Sequence, residues 1–378
     1  MEAFRARYEG EPELWARAPG RVDLMGSHTD YNQGYVLTQA IDRDTWIAAR
    51  PRADRRVRIA SLNLEGMVEF DLEQIEPDRM FPWTNYVRGV ALMMQKDGYP
   101  LHGFDGLVHS TVPVGSGLSS SAALEVSAAM LFNLLGDLAI DPVRMALICQ
   151  RAENEFVGMN CGILDQYTST MGQADCALLL DCRQLISQNK PIPAGMQVVI
   201  CDTRAKRELT GSEYPERRAQ CEQGVQILSR FLPGIRALRD VTIAEFEPYE
   251  HELPTVIARR CRFVIEENQR VLDSAAAIVA GERDQIGDLA VASFAGAKYL
   301  YEISSPEMEK MLAAMQSAPG VIGARQAGAG FGGCMVAIVE QEQVEPFAAH
   351  VLEAYQDSAG IAAQVYPASA AAGAGRLF

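Results

Sequence analysis

One segment of the sequence, PVGSGLSSSAALEVSAAM (residues 113–130), combines two glycines and three consecutive serines with a run of strong helix formers. Glycine lets a backbone approach a ligand closely, and a helix start presents unpaired N–H groups and about half a positive charge. Such helix starts bind phosphate, and a serine hydroxyl there can also ligate magnesium. Helix capping accounts for one serine, not for three with two glycines. The segment predicts a phosphate loop that is not a Walker A loop, because no G-K-[ST] ends it.

Two carboxylates follow in RAENEFVGMNCGILDQYTSTMGQ (residues 151–173). Glu153 falls on a predicted helix, and Asp165 follows a glycine turn twelve residues later. Beside a phosphate site, the pair suggests one magnesium ligand and one base. Alone it would be ordinary, because acidic residues on helices are usually solvated.

A polar cluster lies in GRVDLMGSHTDYNQGYVL (residues 20–37), which holds an arginine, a histidine and two aspartates before an apolar run. Asp30 could accept hydrogen bonds from two adjacent sugar hydroxyls. It could equally cap the turn in TDYNQG, whose composition is typical of turns. Ser27 is the least reactive residue of the cluster.

Five glycines precede an apolar strand in GARQAGAGFGGCMVAIV (residues 323–339). A dinucleotide-binding loop has its glycines after a strand, so that interpretation fails. The pattern predicts a glycine-rich turn that packs against the phosphate loop, and a tight bulged hairpin is the alternative.

Composition limits the classes of function. At 378 residues the chain exceeds one ordinary core, so two domains are expected. The net charge of −15 disfavours nucleic acid as a partner. No apolar run is long enough to span a bilayer, and the first residues do not resemble a secretory signal. Eight scattered cysteines without a C-x-x-C pair indicate free thiols in a reducing cytoplasm, and the five histidines form no H-x-x-x-H metal motif.

Strand-like and helix-like runs alternate in both halves of the chain. The first half holds several alternating or apolar strand patterns before the phosphate loop, and the segment from residue 212 to 300 is mostly helical in pattern. Mixed strands and helices predict α+β domains. Proline, glycine and polar residues cluster in LISQNKPIPAGM, so we expect a boundary there that gives domains 1–190 and 191–378.

Together these segments resemble the GHMP kinase superfamily, and within it the galactokinases. The similarity is carried by APGRVDLMGSHTDYNQGYVL, GSGLSSSAALEV, MNCGILDQYTSTMGQADCALLLDCR, GSEYPERRAQCE and YEISSPEMEKML…GVIGARQAGAGFGGC. These motifs run in order from about residue 15 to residue 335.

The resemblance implies a GHMP kinase fold. Its N-terminal domain would be α/β, like domain 2 of ribosomal protein S5, and its C-terminal domain would be ferredoxin-like α+β. The active site would lie between them in a monomer or weak homodimer. ATP with Mg²⁺ would donate its γ-phosphoryl to the anomeric C1 hydroxyl of a galacto-configured sugar, which the resemblance favours as D-galactose.

The resemblance also implies roles for individual residues. Asp165 would be the catalytic base and Arg21 would lie beside it and the transferred phosphoryl, where a cation favours an ionised carboxylate. The remaining positions group by ligand: Ser27, His28, Asp30, Gly162 and Tyr214 for the sugar; Gly115, Ser116, Gly117, Leu118, Ser119, Ser120 and Ser121 for ATP; Ser121 and Glu153 for Mg²⁺.

Two departures from the family stand out. Galactokinases carry a glutamate, which binds the C6 hydroxyl, where this chain has Ser27. Ser27 could bind that hydroxyl directly or through water, could leave room for the carboxylate of galacturonate, or could mark an L-arabinose kinase. The second departure, Lys298-Tyr299-Leu300, replaces an arginine and two acids, and the sequence does not predict its effect.

Two other functions remain open. The chain could be a GHMP kinase for mevalonate, homoserine or N-acetylgalactosamine, although HTDYN and SEYPERR disfavour the first two. It could also be a sugar sensor without turnover, which the intact LSSSAA loop and the retained Arg21 and Asp165 disfavour.

Overall fold

The computed structural model describes residues 1–205 and 213–377. The alternating runs of the first half form one eight-stranded sheet, to which the last strand of the chain also belongs. Its strands are β1 (Leu14–Met25), β2 (Tyr35–Pro51), β3 (Arg56–Ser61), β4 (Met67–Asp71), β5 (Phe104–Ser110), β6 (Cys176–Asp181), β7 (Ile186–Pro191) and β12 (Gly375–Arg376).

Strand β2 organises this sheet because its 17 residues serve several partners. It pairs with β1 along most of its length, with β5 through residues 45–51, and with β6 through residues 35–38. The main order is β12-β1-β2-β5-β3-β4, with β7 paired to β6. Only β3 and β5 run parallel within the described sheet.

The second sheet has four antiparallel strands in the order β11-β8-β10-β9. They are β8 (Met196–Asp202), β9 (Val321–Gln326), β10 (Cys334–Glu340) and β11 (Gln364–Ala368). The first sheet's β7 ends at Pro191 and β8 begins at Met196, within the segment where the sequence places the domain boundary. Strand β12, however, returns to pair with β1. The boundary itself stays a prediction.

Helices cover both sheets and fill the interval between β8 and β9. They are α1 (Glu2–Arg5), α2 (Thr84–Lys96), α3 (Ser120–Gly136), α4 (Pro142–Arg151), α5 (Leu164–Met171), α6 (Glu213–Leu228), α7 (Ile243–Phe246), α8 (Thr255–Ala280), α9 (Arg283–Gly296), α10 (Pro306–Gln316) and α11 (Val344–Ala359). Short 3-10 turns lie at Asp30–Asn32, Leu238–Asp240, Glu247–Glu252 and Gln341–Gln343, and π-helical turns at Ala152–Val157 and Ala297–Tyr301. The predicted α+β character is confirmed.

Helix α3 is the central helix of the first layer. Ten of its residues are buried, because its sequence is apolar on nearly all sides. It packs on β1 and on helices α2, α4 and α5 within the core under the first sheet. This burial fixes the start of α3, and therefore the phosphate loop before it, against β1.

The cysteines and the helices agree with the expectations from composition. None of the eight cysteines, all of which lie in the described part of the chain, forms a disulfide, and six of them are buried. No helix in the described part of the chain is both long and apolar enough to cross a membrane.

Candidate active site

A cavity of about 390 Å³ opens where the phosphate loop, the end of β1, the turn before α5 and the start of α6 meet. Residues that the sequence assigned to sugar, phosphate and metal share its wall. The lining includes Arg21, Asp23, Ser27, His28, Asp30, Gly115, Gly117, Ser119, Ser120, Ser121, Glu153, Cys161, Gly162, Asp165, Tyr214 and Gly328.

The phosphate loop turns sharply into α3. Gly115 and Gly117 have φ of 74° and 89°, a region that suits glycine. Ser119, the residue before α3, is also left-handed at φ 61°, which is uncommon for a residue with a side chain and is typical of functional sites. Ser116 and Leu118 do not line the cavity: the Ser116 hydroxyl donates to the carbonyl of Pro113, and Leu118 is core. Any contact that these two make with a phosphate would come from the backbone.

Arg21, Asp165 and Ser119 form the most closely bonded polar cluster of the cavity. Arg21 donates to Asp165 Oδ1 from Nε at 2.8 Å and from Nη2 at 2.5 Å. Its Nη1 donates to the carbonyl of Gly117 at 2.7 Å. The Ser119 hydroxyl donates to Asp165 Oδ2 at 2.6 Å. Asp165 is therefore held as a carboxylate acceptor from both sides at the edge of the phosphate loop.

Glu153 lies on the π-helical turn that continues α4, a feature often found at functional sites. Burial, followed by the charge of Asp165, raises the pKa of Glu153 to about 7, although hydrogen bonds from Cys161, Ser121 and Gln166 act the other way. A nearby cation would stabilise the ionised form of this buried carboxylate.

The donor set here fits Mg²⁺. Ser121 and Glu153 offer hard oxygen atoms beside the phosphate loop, and Mg²⁺ usually takes one or two carboxylates together with substrate phosphates. Behind them, Gln166 bridges Glu153 and Glu125 by hydrogen bonds of 2.6 and 3.0 Å. The described residues contain no cluster of three or more acidic, histidine or cysteine side chains that could hold a metal alone.

His28 is neutral and fixed at the opposite wall. Its Nε2 donates to the carbonyl of Ala329 at 2.9 Å, so Nδ1 accepts from the hydroxyl of Tyr31 at 2.8 Å. Tyr214 packs against this imidazole at 5.3 Å between ring centroids. Burial lowers the pKa of His28 to about 4.

The buried His28 should make stability depend on pH. Between pH 6.5 and about 4 the unfolded chain binds a proton at His28 that the folded protein does not, so the free energy of unfolding falls as pH falls. As pH falls over this range, the free energy of unfolding of His28→Gln should therefore rise by about 3 kcal/mol relative to that of the wild-type protein. Urea unfolding at a series of pH values measures the difference. If the difference in free energy of unfolding between the two proteins were the same at every pH, the prediction would be wrong.

Asp30 has the opposite effect on the pH dependence of stability. Burial raises its pKa to about 6, with Asp165 and Asp23 adding to the effect. The folded protein therefore binds a proton at Asp30 in a range where the unfolded chain does not, and stability rises as pH falls through it. Because this contribution is present in both proteins, it cancels in the comparison of His28→Gln with the wild type.

Gly162 is required by the position of Asp30. A Cβ atom at residue 162 would lie 1.7 Å from Asp30 Oδ2. We expect Gly162→Ala to raise the KM for the sugar by about 10- to 100-fold, because the carboxylate must move away from its position in the wall. Steady-state kinetics measures this. Gly375→Ala is the control, because nothing lies within 4 Å of its added Cβ, and equal KM values for the two variants would contradict the prediction.

Ser27 is buried, and its hydroxyl already has three polar neighbours within hydrogen-bond distance. Its Oγ lies 2.9 Å from both Asp23 Oδ2 and the carbonyl of Gly328, and it accepts from Arg325 Nη2 at 2.9 Å. One hydroxyl proton serves two acceptors here, so Ser27 has no donor to spare for a ligand.

The glycine-rich turn between β9 and β10 packs on the phosphate loop, as the sequence predicted. The N–H of Cys334 donates to the carbonyl of Ser116 at 3.1 Å. A Cβ atom at Gly328 would lie 3.5 Å from the carbonyl of Gly117. The same turn is also a hairpin connection, because β9 and β10 are antiparallel neighbours. The second sheet thus supplies one wall of the cavity.

The Lys298-Tyr299-Leu300 departure lies outside the cavity. Lys298 pairs with Glu309 at 2.9 Å, and the Tyr299 side chain is 63% exposed. The side chain of Leu300 packs against the core that helices α6 and α8 share. None of the three side chains lines the wall.

Sequence reasoning missed several polar residues at and behind the site. Asp23 lies in the wall, and Arg325, Glu267, Glu125 and Gln166 lie behind it, all nearly or fully buried. Asp23 stood within the conspicuous cluster of residues 20–37 and could have been found there. The others are polar residues within ordinary helix and strand patterns, so no local signal marked them.

Comparison with known proteins agrees with this geometry. Three family models match: the GHMP kinases N terminal domain at residues 85–173, the galactokinase galactose-binding signature at residues 2–51 and the GHMP kinases C terminal domain at residues 274–357. The chain is 45% identical over 376 residues to the galactokinase of Roseiflexus sp., covering 100% of this chain and 96% of that one. It is 43% identical to that of Chloroflexus aurantiacus, covering 99% and 95%.

A solved structure agrees over the whole chain. The crystal structure of Lactococcus lactis galactokinase complexed with galactose superimposes with a TM-score of 0.96 at 34% identity, covering 100% of this chain and 98% of that one. Methanococcus jannaschii mevalonate kinase superimposes with a TM-score of 0.67 at 16% identity, which shows the fold alone.

The two sheets, the phosphate loop ahead of α3 and the cavity between them define a kinase of the GHMP class. Kinases of this class take ATP as the phosphoryl donor. Within the class, the chain belongs to the galactokinase family of sugar kinases.

Proposed function

We propose that this protein transfers the γ-phosphoryl of ATP to the anomeric C1 hydroxyl of D-galactose, which yields galactose 1-phosphate and ADP. The observation that carries the proposal is the Arg21–Asp165–Ser119 cluster. It joins a carboxylate acceptor to the phosphate loop in a wall shared with His28 and Asp30. The galactokinase relatives and the likeness to the galactose-bound Lactococcus protein support galactose as the acceptor.

In this mechanism Asp165 is the catalytic base. It accepts the proton of the C1 hydroxyl while that oxygen forms a bond to the γ-phosphorus, and the bond from the γ-phosphorus to the β–γ bridging oxygen breaks. The Arg21 fork holds the carboxylate in line and brings positive charge to the edge of the phosphate loop, where phosphoryl transfer needs charge stabilisation.

Residues Gly115 to Ser121 would wrap the ATP phosphates, with the backbone N–H groups at the start of α3 as donors. Ser121 and Glu153 would hold Mg²⁺, which the buried acid and its hydroxyl neighbour suit. When bound, the ion neutralises charge on the β- and γ-phosphates.

The remaining wall would bind the sugar. Asp30 would accept from two adjacent hydroxyls, with Gly162 leaving room for its carboxylate. His28 and Tyr214 would contact the ring, and neutral His28 brings no charge to that contact. Ser27 lies at the same wall.

A panel of sugars tests the proposal. With ATP and Mg²⁺, ADP release should be sugar-dependent and kcat/KM should be highest for D-galactose among D-galactose, D-galacturonate, L-arabinose and N-acetylgalactosamine. Chelation of Mg²⁺ should abolish ADP release. Absence of ADP release with every sugar would overturn the kinase assignment, and sugar binding without ADP release would favour the sensor. A higher kcat/KM for another sugar would overturn galactose as the substrate.

We further propose that the protein acts in the cytoplasm as a monomer or weak homodimer, with no nucleic-acid or membrane partner. Its net charge of −15 supports the absence of nucleic acid, and the lack of disulfides among its described cysteines suits a reducing compartment. We also propose two domains, 1–190 and 191–378, which the separation of the two sheets supports for every strand except β12, since β12 pairs with β1.

A further inference from the structure

The carboxylate that position 27 lacks is present four residues earlier. Asp23 is fully buried and lines the cavity, and its Oδ2 lies 2.9 Å from the Ser27 hydroxyl. Its Oδ1 has no hydrogen-bond partner among the described residues. Buried carboxylate oxygens are seldom left unpaired in native proteins. Asp23 therefore combines a place in the cavity lining with a buried acceptor, Oδ1, that has no donor among the described residues.

We propose that Asp23 is the residue that recognises the exocyclic C6 hydroxyl of the sugar in this protein, with Oδ1 as the acceptor. The proposal rests on the proposed function, since it concerns the same site and the same substrate. It assigns to Asp23 a part in sugar specificity and leaves the phosphoryl-transfer step to Asp165 and Arg21.

Strand β1 places Asp23 at the correct distance from the reacting end. Arg21 and Asp23 pair regularly with Ala40 and Thr38 of β2, without a bulge between them. Their side chains therefore leave the same face of the strand, roughly 6.6 Å apart. That separation is about the breadth of one pyranose ring. With Arg21 at the C1 end beside Asp165, Asp23 lies where the C6 end of the ring would be.

Ser27 and Arg325 hold this carboxylate in place from behind. Ser27 accepts from Arg325, which has Glu267 at 3.0 Å and Asp23 at 3.6 Å. Arg325 also donates from Nε to Ser293, and it does not line the active-site cavity. At this end of the wall, Asp23 thus offers an unpartnered carboxylate oxygen and Ser27 is already hydrogen-bonded. The guanidinium of Arg325 lies behind both.

This arrangement favours a hydroxyl over a carboxylate at C6. A hydroxyl can donate to Oδ1, whereas a uronate carboxylate has no proton to donate to it and is repelled by the ionised form of Asp23. Burial raises the pKa of Asp23 against the opposing effects of Arg325 and Arg21. A donor from the ligand would favour the ionised form of this carboxylate.

The first test compares D-galactose with 6-deoxy-D-galactose, which keeps the ring and the C6 carbon but lacks the hydroxyl. We expect the wild-type protein to prefer galactose by roughly 10- to 100-fold in kcat/KM, with most of the difference in KM. Asp23→Leu, similar in size and without an acceptor, should reduce this preference to about threefold or less. Asp288→Asn, at an exposed position, is the control and should keep the wild-type preference.

Asp23→Asn keeps the proposal testable if the leucine variant does not fold. Because the amide of asparagine can donate to a carboxylate, this change should raise kcat/KM for D-galacturonate relative to D-galactose by about tenfold. Adding Ser27→Glu to Asp23→Asn should reverse this gain, because it returns a carboxylate to the same wall. Calorimetric titration of both sugars checks that the changes lie in binding.

The two proposals fail in different ways. No phosphorylation of galactose by the wild-type protein would overturn the proposed function. Normal wild-type activity with an unaltered galactose preference in Asp23→Leu, or an unaltered galacturonate ratio in Asp23→Asn, would overturn the role of Asp23 alone. A purely structural Asp23 would lower kcat/KM equally for galactose and its deoxy analogue.

Discussion

Replacing Asp165 with asparagine is expected to lower kcat by about 10³-fold while galactose binding changes only a few-fold. The amide keeps the shape and one acceptor for the Arg21 fork. It cannot take the proton of the attacking hydroxyl, and its NH2 group cannot accept a hydrogen bond from Ser119 in place of Oδ2.

The measurement is a coupled ADP assay together with calorimetric titration of galactose into the variant. Asp288→Asn provides the same chemical change at an exposed position of α9, outside the cavity. Near-normal kcat in Asp165→Asn would mean that another group removes the proton. A loss of galactose binding comparable to the loss of kcat would mean that Asp165 mainly positions the sugar.

Replacing Arg21 with alanine should lower kcat by about 10²- to 10³-fold. The substitution removes both bonds to Asp165 and the bond to the carbonyl of Gly117, so base and phosphate loop lose their common anchor. It also removes the cation from the place where charge shifts during transfer. Because the guanidinium is nearly buried, the loss leaves Asp165 without a charged partner in a partly desolvated site.

Arg21→Lys separates geometry from charge. A single ammonium keeps the charge but cannot donate to Asp165 and Gly117 with the same fixed fork. We expect it to recover less than about a tenth of the wild-type kcat. Arg218→Ala, on the exposed side of α6, is the control for loss of an arginine. Full activity of Arg21→Lys would show that charge alone matters, and full activity of Arg21→Ala would exclude Arg21 from the reaction.

Local features of the site could be predicted from the sequence because they depend on neighbouring residues. The glycines and serines of residues 115–121 specify a loop and a helix start within one short segment, and α3 begins inside that segment, at Ser120. The glycine turn before Asp165 and the polar cluster of residues 20–37 were equally visible. Their resemblance to the galactokinases then connected the three segments.

The contacts that determine which groups of the cavity wall can bind a sugar join residues far apart in the chain, so no local sequence pattern predicts them. Arg21 and Asp165 are 144 residues apart in the chain, and Ser27 and Arg325 are 298 apart. The departure from the family at Ser27 predicts that this residue decides the sugar. The structure shows its hydroxyl already engaged by Asp23, Gly328 and Arg325.

The sequence by itself determined the class of chemistry, because phosphate binding and proton transfer require particular residue types at short spacings. Only the tertiary structure decided which of those residues are free to meet a ligand. A buried side chain is available only when its neighbours leave a donor or acceptor unpaired, and those neighbours come from distant strands and helices. For this reason the Ser27 hydroxyl is already hydrogen-bonded. Asp23, two residues after Arg21 on β1, retains a carboxylate oxygen without a partner among the described residues.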